Sequence, residues 1–143
     1  MHQQLLRRVL RRLLLLLLQQ LLKLLRLLKQ LRGTLIAVPV VNVYGYTARS
    51  RYLPDRRDLN RSFPGSASGS MASRLAHLFM EEVVSHCTHG IDLHTGAVDR
   101  TNLPHVRVSL DQENAVEMAH QFRVPLILHA NLRDGSLRQT VLE

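Results

Sequence analysis

The chain lacks tryptophan entirely and holds one cysteine, three tyrosines and three phenylalanines among 143 residues. With Cys87 alone no intrachain disulfide can form, and the expected setting is a reducing one, the cytoplasm. Long apolar runs are missing too. The longest, Leu13 to Leu18, falls far short of the roughly 20 residues a spanning helix needs, and no small-residue cleavage site follows it. There is no glycine signature for a dinucleotide or a phosphate loop. The pentapeptide Gly65-Ser66-Ala67-Ser68-Gly69 centres on Ala67, so it is no nucleophile elbow and reads as a flexible joint.

Acid is absent before Asp55, whereas eight Lys and Arg crowd the first 32 positions. The rest of the chain carries eleven Arg against eleven acids, so the net charge of +8 belongs to the first segment alone. The folded body therefore offers no basic face of the kind nucleic acid requires. Residues 1–32 are rich in leucine, and polar residues at 8, 12, 19, 23, 26 and 30 trace one stripe of a helix. Three readings fit this basic amphipathic helix: a core-packing element, a membrane-surface or targeting helix, or low-complexity sequence.

Leu31-Arg32-Gly33 ends that helix with a glycine suited to a left-handed cap. Thr34 to Val41 is then a continuous apolar, β-branched run and predicts a buried strand, broken or brought to an edge at Pro39. Residues 42–69 show no periodicity and predict a long ordered polar loop, since they hold five Arg, two Asp, two Asn and three Tyr. Ser70 caps a predicted helix to about Ser85. A short strand follows at 91–94, and alternation at Val106, Val108 and Leu110 predicts another. A helix capped by Asp111 runs to about Phe122, and Val124 to Leu128 predicts a further buried strand. The last 14 residues carry no clear pattern. Alternating helix and strand give an α/β class, with 1–32 as a helical segment and 33–143 as the folded domain.

Three clusters carry candidate chemistry. Arg51, in Arg49-x-Arg51-Tyr52, and Asn60-Arg61, in Asp58-Leu59-Asn60-Arg61, are types that bind a carboxylate or stabilise an oxyanion, or that simply line a solvated loop. His94, in Asp92-Leu93-His94-Thr95-Gly96, lies at a strand's carboxyl end, where open α/β sheets bind ligands. It is a metal ligand, a base or a structural histidine, and Asp92 shares its face of the strand and would orient it. His86-Cys87-x-His89 has metal-binding residue types, but no second cluster completes it.

Taken together, PVVNVYGY (39–46), RSRYLP (49–54), DLNRSFPG (58–65), IDLHTG (91–96) and NLPHVR (102–107) resemble the succinylglutamate desuccinylase/aspartoacylase family, over roughly residues 20–143. The resemblance implies a metallocarboxypeptidase-like fold, a mixed β-sheet flanked by helices, here incomplete at both ends. It implies a zinc-dependent deacylase of N-acyl amino acid-type amides, with a small carboxylate-bearing amide as substrate and Zn2+ as cofactor. In that frame His94 is a metal ligand and Arg51 polarises the scissile carbonyl, while Asn60 and Arg61 grip the substrate carboxylate. The family's H-x-x-E zinc motif and its later general-base glutamate have no counterpart here, and Glu143 lacks the context of that base. The expectation is a truncated copy, inactive in isolation. Two other readings stand beside it: a non-catalytic carboxylate-binding module, and a membrane-surface protein acting through residues 1–32.

Overall fold

The computed structural model describes residues 30–94 and 100–142. The basic helix expected over 1–32 therefore lies almost wholly outside the described residues, as do Thr95 and Gly96 of the histidine motif. The chain divides into two units, residues 1–37 and 38–143. Of the first unit, Gln30 is helical, and Gly33 has a φ of +119°, wider than the left-handed helical conformation expected of a cap there. Residues 34–41 form no strand, contrary to the expectation, and Leu35, Ile36 and Val38 are exposed. A strand exists only through its ladder, and no partner strand flanks this run among the described residues.

The second unit is built around α2, Met71–Glu82, whose N-terminus matches the expectation: the Ser70 side chain accepts from the Ser73 N–H. Leu53, Leu59 and Phe63 from the preceding loop bury against Ala72 and Ala76 of this helix, with Val41, Leu75, Phe79, Met80 and Leu137 packed around them. The two alanines are fully covered because the loop backbone lies directly on the helix there. Phe63 and Phe79 meet edge to face, ring centroids 6.3 Å apart, a favoured aromatic geometry. The 42–69 segment is thus an ordered layer of the core. It contains a helix the sequence pattern did not signal, α1, Val43–Ala48, closed by Arg49 in the left-handed conformation. The Asn42 side chain caps α1 by accepting from the Gly45 N–H at 2.8 Å, a local bond that periodicity does not register.

Gly65 is no flexible joint. Its φ is +85° and its Cα lies against the backbone of α2 at Ser73 and His77.

Asp55 fastens the loop to the helix. Its carboxylate accepts from the Ala72 N–H at 3.0 Å and from the Arg57 N–H at 3.2 Å. The Ala72 bond above all lowers the Asp55 pKa; desolvation opposes it, and the Arg57 amide and charge add to the lowering. A depressed folded value means the bonds stabilise above the ordinary aspartate range and are lost as pH falls through the folded value. The expected outcome is a urea midpoint that declines below about pH 4, with a shallower decline in Asp55→Asn, read by circular dichroism.

Beyond α2 lies a βαβ unit. Strands β1, His105–Val108, and β2, Leu126–His129, pair in parallel, His105 opposite Leu126 and Val108 opposite His129, with α3, Glu113–Gln121, as the crossover. This bears out the α/β class. Strand β2 is only half covered rather than buried, because nothing pairs with its outer edge among the described residues. Residues 91–94 are exposed and form no ladder with any described strand, so the strand expected there is absent. The cap of α3 falls on Gln112 rather than Asp111, whose carboxylate instead accepts from the Ser109 hydroxyl. The chain's last stretch holds α4, Leu137–Thr140, capped by Ser136. No helix among the described residues is long and apolar enough to cross a membrane.

Candidate functional site

The site is built on the turn that follows Leu53. Asp58 starts a one-turn 3-10 helix, Leu59–Arg61, and organises everything near it. One carboxylate oxygen accepts from the Asn60 N–H at 3.0 Å, and the other takes both Nε and Nη2 of Arg51 at 2.8 Å. Arg51 is thus held in a charge-assisted fork, with part of its guanidinium still solvent-facing. Asn60 is half-buried, and its Oδ1 accepts from the Leu137 N–H at 2.9 Å, a bond spanning 77 positions. Arg61 is exposed and folds back, Nη1 donating to the Asn60 carbonyl. Of the expected residues, Arg51, Asn60 and Arg61 therefore share one small loop, with Asp58 tying the first two together.

His94 reaches the site from a different segment. Its Nε2 lies 2.6 Å from Asp92 Oδ2, so Asp92 orients the ring as its position two residues earlier suggests, and Nδ1 is the nitrogen this contact leaves over. The hydrogen bond to Asp92 raises the His94 pKa, with the aspartate charge adding to it. Partial burial and the positive charges of Arg51 and Arg107 pull the other way. A raised folded value places the pair's contribution to folding below the ordinary imidazole pKa and removes it as pH rises through the raised one. Both side chains are about half exposed, so that contribution is small. The more useful content is spatial: Arg51 and Arg107 both stand within electrostatic reach of His94.

Arg107 is the residue that sequence reasoning passed over. It occupies β1, and its charge is felt at His94 and also at Arg138, whose pKa is lowered by burial and by Arg107 and Arg133. Arg138 donates through Nη2 to the carbonyls of Ala130 and Asn131, which hold it in place. The NLPHVR string contains Arg107, but only the fold brings its charge to bear on His94 and on Arg138. His86, Cys87 and His89 do not converge: the Cys87 thiol donates to the Val83 carbonyl and His89 Nδ1 meets the Thr88 hydroxyl.

The described residues do not by themselves fit a catalytic zinc ion. Such a site takes three protein ligands, and no group of three His, Cys, Asp or Glu comes together among them. His94 with Asp92 supplies one ligand and its orienting carboxylate.

The described residues hold an arginine fork on Asp58 and a histidine oriented by Asp92, and the charge of that arginine is felt at the histidine. The chain belongs to the succinylglutamate desuccinylase/aspartoacylase family, whose catalytic-domain description matches residues 15–143. One relative is the N-alpha-acetyl-L-2,4-diaminobutyric acid deacetylase of Halomonas elongata, 35% identical over 122 residues. The aligned region covers 80% of this chain and 36% of that protein, so the chain spans little more than a third of its relative's length. No solved structure matches the chain.

Proposed function

We propose that this chain is the substrate-anion portion of a zinc-dependent deacylase acting on N-acyl amino acids, with a metallocarboxypeptidase-like fold completed by further chain. The observation that carries the reading is the fork of Arg51 on Asp58, with the Arg51 charge reaching His94. In this arrangement Arg51 donates to the acyl carbonyl oxygen and favours the negative charge that grows there as the amide is attacked. Asn60 and Arg61 hold the amino acid's carboxylate. His94 is the zinc ligand contributed by this portion, oriented by Asp92, and the single cysteine suits a cytoplasmic setting. Family membership and the deacetylase relative support this assignment.

A second reading is a non-catalytic carboxylate-binding module: Arg51, Asn60 and Arg61 share one loop, while no three metal donors come together among the described residues. Metal analysis and calorimetry on the purified full chain separate the two. The deacylase-portion reading expects less than one zinc per chain, negligible deacetylation, and binding of Nα-acetyl-L-2,4-diaminobutyrate that strengthens when zinc is supplied. Binding that is identical with zinc and with a chelator favours the module. Equimolar tight zinc lost on His94→Ala would show that the chain completes the metal site itself, while no binding under any condition sinks both readings.

A further inference from the structure

An asparagine carboxamide is ambivalent toward an anion. Turned one way it offers two N–H donors, and turned the other way it offers a repelling oxygen. The Asn60 side chain has its oxygen engaged: Oδ1 accepts from the Leu137 N–H at 2.9 Å, while the Asn60 backbone N–H is held by Asp58. We propose that the turn 135–137 is a positioning element, in which the Leu137 N–H fixes the Asn60 carboxamide with Nδ2 presented as a donor. The proposal rests on the reading above that Asn60 grips a substrate carboxylate.

Three contacts place this turn on the 3-10 loop. The Phe63 N–H donates to the Gly135 carbonyl at 3.0 Å, and the Leu137 N–H meets Asn60. Gly135, at a φ of +69°, lies so close that a Cβ would stand 2.6 Å from the Arg61 carbonyl oxygen. The contacts at Arg61 and Phe63, both just beyond Asn60, hold the turn where the Leu137 N–H meets the Asn60 carboxamide oxygen. Leu137 opens α4, and a first-turn N–H has no partner within its own helix. That donor is spare, and the fold uses it on the site. Leu137 acts through Asn60 and touches no substrate.

The position allows a clean test. Proline is tolerated at the first residue of a helix, and Ser136 before it is already extended at ψ 148°, as a residue preceding proline must be. Leu137→Pro therefore deletes the donor with little change to the backbone, and Leu137→Ala deletes the same packing while keeping the donor. In the full chain, titrated with Nα-acetyl-L-2,4-diaminobutyrate by calorimetry, Leu137→Pro is expected to bind roughly tenfold more weakly than Leu137→Ala. Asn60→Ala is expected to weaken binding as much, and the Asn60→Ala, Leu137→Pro double variant no further. Amide exchange by NMR supplies a reading that does not depend on the proline variant folding. Leu137 protection is expected to fall in Asn60→Ala and to persist in Asn60→Asp, which keeps the acceptor yet loses binding. Equal binding by the Pro and Ala variants, or unchanged Leu137 exchange in Asn60→Ala, overturns the positioning role and leaves the functional reading standing. A wild-type chain that binds no probe overturns the functional reading and the positioning role with it.

Discussion

Gly65→Ala is expected to be the most damaging alanine substitution among the described glycines. The residue sits at φ +85°, where an L side chain is strained, and a Cβ would lie 2.5 Å from the His77 nitrogen, closer still to the Ser73 carbonyl, and 3.0 Å from Ala76 Cβ. The first two atoms are helix backbone and cannot rotate away. Left-handed strain and overpacking together cost about 2–5 kcal/mol, against a total of about 5–15 kcal/mol for a typical domain. This core has little in reserve, because no large side chain among the described residues is fully buried. The midpoint of thermal unfolding should fall by roughly 10–30 °C. Two controls separate strain from crowding. Gly69→Ala shares the positive φ, at +134°, but its Cβ would meet only the Ser73 side chain, at 3.6 Å and beyond, and Gly90→Ala meets neither condition. The expected order of loss is Gly65 far above Gly69, with Gly90 near zero. A Gly65→Ala midpoint level with Gly69→Ala would mean that the loop does not rest on α2 as described.

The same contact shows where sequence reasoning reached and where it stopped. The α2 helix was legible because its signals are local: Ser70 as cap and an apolar stripe at helical spacing. The helix α3 and both strands of the parallel pair were legible for the same reason, within a few residues at their ends. Residues 34–41 misled because apolar, β-branched composition reports a wish for burial and says nothing of a ladder partner, and the short run Ile91 to His94 says nothing of one either. Gly65 was misread because a serine- and glycine-rich string looks the same whether it swings free or is pressed against a helix.

For the site, Arg51, Asp58, Asn60 and Arg61 were close in sequence and therefore visible as a group. Asp92 beside His94 followed from the two-residue period of an extended chain. What sequence could not give was the long-range half: the Leu137 N–H on Asn60, and the Arg107 charge reaching His94 from β1. The first depends on where the chain returns after the parallel crossover, the second on where β1 lies before it.

The second large effect is functional and falls on Arg51. Arg51→Ala is expected to weaken binding of Nα-acetyl-L-2,4-diaminobutyrate by roughly 10- to 100-fold, the loss that accompanies removal of a charge-assisted hydrogen bond. Arg51→Lys should recover little of it, since an ammonium cannot hold Asp58 through two nitrogens and offer a third to the ligand. Folding should change much less. The Arg51 side chain is 53% exposed, and an ion pair in that setting contributes about 0–1 kcal/mol. Asp58 sharpens the experiment because its carboxylate competes with the ligand for the guanidinium while also aiming it. Asp58→Asn keeps an acceptor for the Asn60 N–H but removes the charge that holds the fork. If aiming dominates, Asp58→Asn weakens binding, and the Arg51→Ala, Asp58→Asn double variant is no worse than Arg51→Ala alone, a non-additivity expected of residues that act as one unit. If competition dominates, Asp58→Asn tightens binding and the fork is a brake on Arg51. Additive losses would place the ligand on the two residues separately, and the fork would then have no part in recognition.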